Sequence, residues 1–232
     1  MAQWSDNFDS YAPGSLNGVG GWQGWDNAAV AAGNVSTVVA RSGTNSQVVS
    51  GPTDSVQKYS GITAGQWSYV VWQYIPQNFT GDTYFILNNV YNDGGPYNWA
   101  VQILFQGGTG RVLDDNGRSE NVVNFVRGSW AEIRVDFDLS ANTLTEYYNG
   151  AVLATGTWAS GGAVALGGVD LFANNSGPVY YDDMYVHRQF SEETASLVPN
   201  MKLWVTSEYE HNGLRADGEA ILDRLLAMVR GG

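Results

Sequence analysis

Carboxylates are the first side chains to test for chemistry, because two of them at a fixed separation can divide acid and base work between them. The densest run is Glu132-Ile-Arg-Val-Asp136-Phe-Asp138. Its charged residues alternate with Ile133, Val135 and Phe137, so residues four apart would stand ~13 Å from each other along an extended chain. That is too wide for a dyad, and the alternation is what a strand with one wet face produces. Asp114-Asp115 and Asp182-Asp183 are adjacent pairs, whose side chains point to opposite faces of a regular strand and so cannot share a proton. His187 closes a strand pattern and His211 lies in Glu208-Tyr-Glu-His-Asn212, and neither stands beside a nucleophile signature. Glu208, Glu210 and His211 are metal-binding residue types without a ligand spacing. No catalytic residue is therefore predicted. Aromatic residues are the other candidates. Trp22, Trp25, Tyr91, Tyr97, Trp99 and Trp158 fall in or beside glycine-rich loops, where flat rings next to Asn and Asp make platforms for sugars or protein partners. The plainer use of the same rings is to plug the ends of a sandwich. Trp67 and Trp72, around Tyr69-Val-Val-Trp-Gln-Tyr74, read as core.

Composition narrows the chemistry further. There is no Cys among the 232 residues, hence no disulfide or thiolate, and two His exclude a multi-histidine zinc site. A net charge of -12 opposes binding to nucleic acid, which needs clustered Lys and Arg. No apolar stretch is long enough for a membrane span, and residues 1–11 lack the basic start and apolar run of a secretory signal. Neither nucleic acid nor membrane is expected as a partner. Nine Trp, 13 Tyr and 29 Gly describe aromatic strands joined by glycine turns.

Those strands must carry the candidate residues. Trp130–Asp138 is the clearest, followed by Leu144–Tyr148 and, across the hairpin signal Asn149-Gly150, Ala151–Thr155. Further strands are expected at Gln66–Ile75, Thr83–Tyr91, Trp99–Gln106, Arg111–Asp114, Val169–Ala173 and Val179–His187. Many short strands without a long helical period predict an all-β chain, an antiparallel two-sheet sandwich over residues 1–189. The pattern changes after Gln189. Residues 190–232 read as a C-terminal arm ending in an α-helix capped by Asp217, with Leu222, Leu225, Leu226 and Val229 on one apolar stripe. Such a helix is too short to persist alone, so it is expected to dock either on its own sandwich or on another subunit.

The run Trp130-x-x-Ile133-x-Val135-x-Phe137, with Tyr147-Tyr-Asn-Gly150 and the closing Val179-Tyr-Tyr-Asp-Asp-Met-Tyr-Val186, resembles the laminin G-like members of the concanavalin A-like lectin and glucanase jelly rolls. Asp6-Asn-Phe-Asp-Ser-Tyr11 with Gly20-Gly-Trp22 looks like the first strand and loop of bacterial and phage versions. The resemblance implies a jelly-roll sandwich whose concave face or loop rim binds glycans, and a structural calcium tying the first strand to the last. Asp9 and Asp183 are the carboxylates placed for that calcium, because hard oxygen ligands suit it. A glucanase of this superfamily would carry E-x-D-x-x-E, and Glu132 to Asp138 departs from that spacing. The expected function is first a non-enzymatic structural and binding protein of a phage virion, such as a capsid decoration, cement or fibre component at the virion surface. A capsid or other virion protein and a cell-surface glycan are its expected partners. An extracellular carbohydrate-binding module of a bacterial system stands second, and a glycan hydrolase or lyase third.

Overall fold

The computed structural model describes residues 2–188 and 213–230. The chain divides into two units, residues 1–188 and 189–232.

In the first unit the strands are β1 (Ala2–Asp6), β2 (Gly14–Ser15), β3 (Trp22–Gly24), β4 (Asn34–Ser36), β5 (Ser46–Val49), β6 (Asp54–Lys58), β7 (Gln66–Tyr74) and β8 (Asp82–Tyr91). They continue as β9 (Tyr97–Gln106), β10 (Arg111–Asp114), β11 (Val122–Asn124), β12 (Trp130–Asp138), β13 (Thr143–Tyr148), β14 (Ala151–Thr157), β15 (Gly168–Asn174) and β16 (Val179–Arg188). Two antiparallel sheets form a sandwich. One runs β14-β13-β12-β7-β16-β5-β4-β2, with β1 also on β16, and the other runs β11-β10-β9-β8-β15-β6-β3. The period-two pattern of β12 does what it predicts: Ile133, Val135 and Phe137 are buried while Glu132, Arg134, Asp136 and Asp138 keep partial exposure. The strands between residues 14 and 58 carry no such alternation, because they are two to five residues long and buried polar residues such as Ser46, Gln47, Ser55 and Gln57 interrupt the apolar signal.

The core lies between the sheets, with Tyr69, Phe85, Phe105, Ile133 and Leu171 fully buried. Two of the predicted platform residues belong to it. Trp22 is 0% exposed and its indole N–H donates to Asp6 Oδ2 at 3.0 Å, while Trp158 is 0% exposed, stacked on Phe137 at 4.4 Å and bonded to Ala165 O. Both are removed from the ligand-binding set, because a buried ring with a satisfied N–H is a packing element. The expected first strand from Asp6 is also corrected: β1 ends at Asp6, whose carboxylate collects the Phe8 amide and the Tyr11 hydroxyl to turn the chain. Between the sheets, Arg118 Nη1 bridges Asp114 at 3.0 Å and Glu146 at 3.1 Å, tying β10 to β13.

In the second unit, α1 runs Gly213–Arg230, so it starts before Asp217, which lies within the helix and does not cap it. Leu222, Leu225 and Leu226 are exposed on it, Leu222 to 56%. Val229 lies on α1 with its side chain outside the described residues. Glu208, Glu210 and His211 also lie outside them. No described helix is long and apolar enough to cross a membrane.

Candidate functional site

Trp25 owes its position to a backbone that only a few contacts make possible. Gly24, just before it, faces Ala28 O so closely that a Cβ would stand 2.0 Å from it, so no other residue fits. Asp26 follows with φ 54°, an uncommon value for a non-glycine residue. Its N–H donates to Tyr91 Oη at 2.9 Å, and its carboxylate accepts the Gly94 N–H at 2.9 Å and the Tyr97 hydroxyl. Asp26 thereby clamps the Trp25 loop to the β8–β9 hairpin. Gln23 and Lys58 add a second clamp, meeting the two oxygens of Asp93 at 2.6 and 2.9 Å. Register shifts between β8 and β9, around Leu87 to Val90, set Trp99 opposite Asn88, as bulges re-aim side chains near functional sites.

Four of the six predicted platform residues converge there. Trp25 stacks with Trp99 at 6.2 Å and 9° between planes, meets Tyr97 at 4.7 Å and stands edge-on to Tyr91 at 4.8 Å. Tyr91 is the buried support of the group, while Trp99 is 42% exposed. Trp25, Tyr97 and Trp99 form one wall of an open groove of about 490 Å³ on the outer face of the seven-stranded sheet. Tyr84 and Phe172, stacked at 5.9 Å, line it further with Ile86, Gln102 and Asn174. Burial first, and then the Asp115 carboxylate, push the Tyr84 hydroxyl up to about 12, so it stays a neutral donor.

Two carboxyls that the sequence reading passed over complete the groove. Asp54 on β6 stands opposite Phe172 and Asp170 on β15 stands opposite Val56, which makes the two diagonal neighbours on one face. Asp170 is 2% exposed, and both carboxyls line the groove. Burial is the main cause that raises both above the ordinary carboxylate range. Their separation in sequence hides them; the only signal was an Asp inside the apolar run Val169–Ala173, where a charge has no place in a strand buried on both faces.

The calcium carboxylates lie elsewhere. β16 pairs with β5 through Val179–Tyr181 and with β1 from Met184, and the switch is a bulge at Asp182-Asp183 with Asp183 at φ 46°. The bulge breaks the alternation expected of these two residues, so both carboxylates meet one loop. Asp182 Oδ2 accepts the Arg41 and Ser42 amides at 2.8 and 3.2 Å, and Asp183 accepts Arg41 Nη1 and Ser42 Oγ, each at 2.7 Å. Burial, then the neighbouring Asp183 charge, push Asp182 up to about 7. Asp9 Oδ1 accepts the Thr44 and Asn45 amides at 2.8 and 3.0 Å. A calcium ion needs six to eight oxygens. Here a guanidinium and amide donors occupy the two carboxylates, and no described group of three His, Cys, Asp or Glu could hold a metal, so these residues as arranged do not fit calcium.

No family model matches the chain. A proline iminopeptidase of Aeromonas sobria is 56% identical over 52 residues, which are 22% of this chain and 12% of that protein. Among solved structures, a sialidase superposes with a TM-score of 0.56 at 8% identity, over 81% of this chain and 18% of its own. The catalytic domain of a glycoside hydrolase family 131 protein from Coprinopsis cinerea gives 0.52 at 13%, over 81% and 94%. A cellulose induced protein, Cip1, gives 0.51 at 16%, over 80% and 97%. The fold is that of these β-sandwiches. It is consistent with a concanavalin A-like jelly roll.

Proposed function

We propose that the sandwich is a non-catalytic glycan-binding domain and that its site is the groove beside Trp25, Tyr97 and Trp99. The observation that carries this is the near-parallel, partly exposed Trp25–Trp99 pair set against a polar groove, since flat rings flanked by hydrogen-bonding groups suit the apolar faces of sugars. Two of the three folds it shares belong to proteins named for glycan cleavage, which supports the ligand class. The absence of catalysis is argued from Asp54 and Asp170. They lie together on the floor of the groove as diagonal neighbours of adjacent strands, Asp170 only 2% exposed, whereas glycosidases set two carboxyls on either side of the scissile bond. Screening the purified chain on a glycan array tests the reading; no ligand of any class would sink it, and cleavage of a bound glycan would sink its non-catalytic part.

A second reading, attachment to a virion or another assembly, is favoured by Leu222, Leu225 and Leu226, which expose apolar side chains on α1. Removing residues 189–232 should then leave a folded sandwich that no longer associates with its partner. A truncated chain that fails to fold would count against it.

A further inference from the structure

The floor of the groove holds a charge problem that nothing among the described residues solves. Asp170 is almost fully buried, yet the Oδ1 atoms of Asp170 and Asp54 have no hydrogen-bond donor among the described residues. The two carboxyls are diagonal neighbours on one face and both line the groove, where burial raises each above the ordinary carboxylate range and favours a proton held by the pair. Across the face from them β8 presents Tyr84, whose own partner is Asp115, and β9 presents the neutral Gln102. From the loop side the Asp26 carboxylate acts on Asp54 and adds to the negative field. Every charged side chain lining the groove is a carboxyl, and the cation nearest along β6, Lys58, is engaged by Asp93. Buried acids are ordinarily paired with a cation, and pairs left without one mark functional positions.

We propose that the Asp54–Asp170 pair recognises an amine, so that the groove selects glycans built of 2-amino sugars over neutral or acidic ones; this rests on the glycan-binding reading above. An ammonium brings three N–H donors, enough to bond both carboxylates at once, and its charge offsets the repulsion that otherwise keeps a proton on the pair. The rings of Trp25, Tyr97 and Trp99 add cation–π attraction where water is displaced. A hydroxyl or acetamido group in the same place supplies fewer donors and no charge, and a sugar acid meets like charges. Binding is a non-covalent exchange: the ammonium enters, and the proton shared by Asp54 and Asp170 leaves to the solvent.

Isothermal titration of the full chain with β-1,4-linked glucosamine, N-acetylglucosamine and glucose oligomers of equal length, near pH 6 and in about 0.15 M salt, tests this. The glucosamine oligomer is expected to bind about tenfold tighter than the other two. Repeating the titration in buffers of different ionisation enthalpy should show about one proton released per amine bound. Asp170→Asn, and Asp54→Asn should the first not fold, is expected to remove both the preference and the proton release while keeping weak binding of the acetylated oligomer. General attraction between a polycation and this acidic chain would survive either substitution, and survival of the preference would overturn the proposal. Equal binding of all three oligomers overturns it and leaves the glycan-binding reading standing. Binding of none of the three, together with an empty glycan array, overturns both.

Discussion

Trp22 and Trp99 show how one residue type takes opposite roles according to what surrounds it. Trp22 sits against Phe8 and Trp4, its N–H held by a buried Asp6, so Trp22→Ala should cost about 3 to 5 kcal/mol and lower the melting temperature steeply. Trp99 leans on Trp25 with 42% of its surface in water. Trp99→Ala should leave melting within a degree or two, since exposed substitutions are close to neutral, and weaken glycan binding at least tenfold. Thermal unfolding and a binding titration of both variants check the pair; a Trp99→Ala protein that melts early but binds normally would exchange the two roles. Sequence could nominate both indoles because each stands beside glycines. It could not separate them, because whether a loop ring faces the core or the groove depends on Asp26 and on the β8 bulge, neither of which has a sequence signature.

At the scale of elements, the bulge in β16 decides what the Asp182-Asp183 pair can do. A regular strand would have sent one carboxylate into the sandwich and the other to solvent, and the extra backbone bend turns both toward residues 41 and 42 instead. Arg41 also packs over the Trp72 ring at 3.7 Å, so it locks the loop against both strand and carboxylate. Arg41→Ala removes the guanidinium that bonds Asp183, 0% exposed, and should cost about 3 kcal/mol. Calcium and a chelator should give the unmutated protein the same melting temperature, since a ligand stabilises only by binding the folded state. A rise of several degrees with calcium would restore the ion to this loop. Strands β7 to β10 and β12 to β16 were legible because apolar or alternating runs of four to ten residues are bounded there by clear turn signals. The short strands before residue 60 were not, because they run two to five residues and buried polar side chains interrupt their apolar signal, and the carboxyl pair of the groove was not, because Asp54 and Asp170 stand more than a hundred residues apart in sequence.

For the whole molecule, buried acids tie stability to pH. Burial, then Asp114, push Glu146 up to about 8 against the pull of Arg118, and Asp182 rises to about 7. A carboxyl whose folded value lies above its unfolded one contributes its full stability below the unfolded value and loses it as pH climbs through the folded one. Melting temperature should therefore fall as pH rises from about 5 to about 8, in the same direction as the self-repulsion of a chain carrying -12 charges. Glu146→Gln should flatten the slope, and a melting temperature that climbs over that range would contradict the assignment. The central claim, that the ring-lined groove is where a glycan binds, can be read residue by residue. In an NMR titration with a glycan chosen from the array, the indole N–H signals of Trp25 and Trp99 should shift together and saturate, while those of the buried Trp22 and Trp158 stay in place. Saturating shifts at Trp22 or Trp158, or binding that leaves Trp25 and Trp99 unmoved, would contradict it.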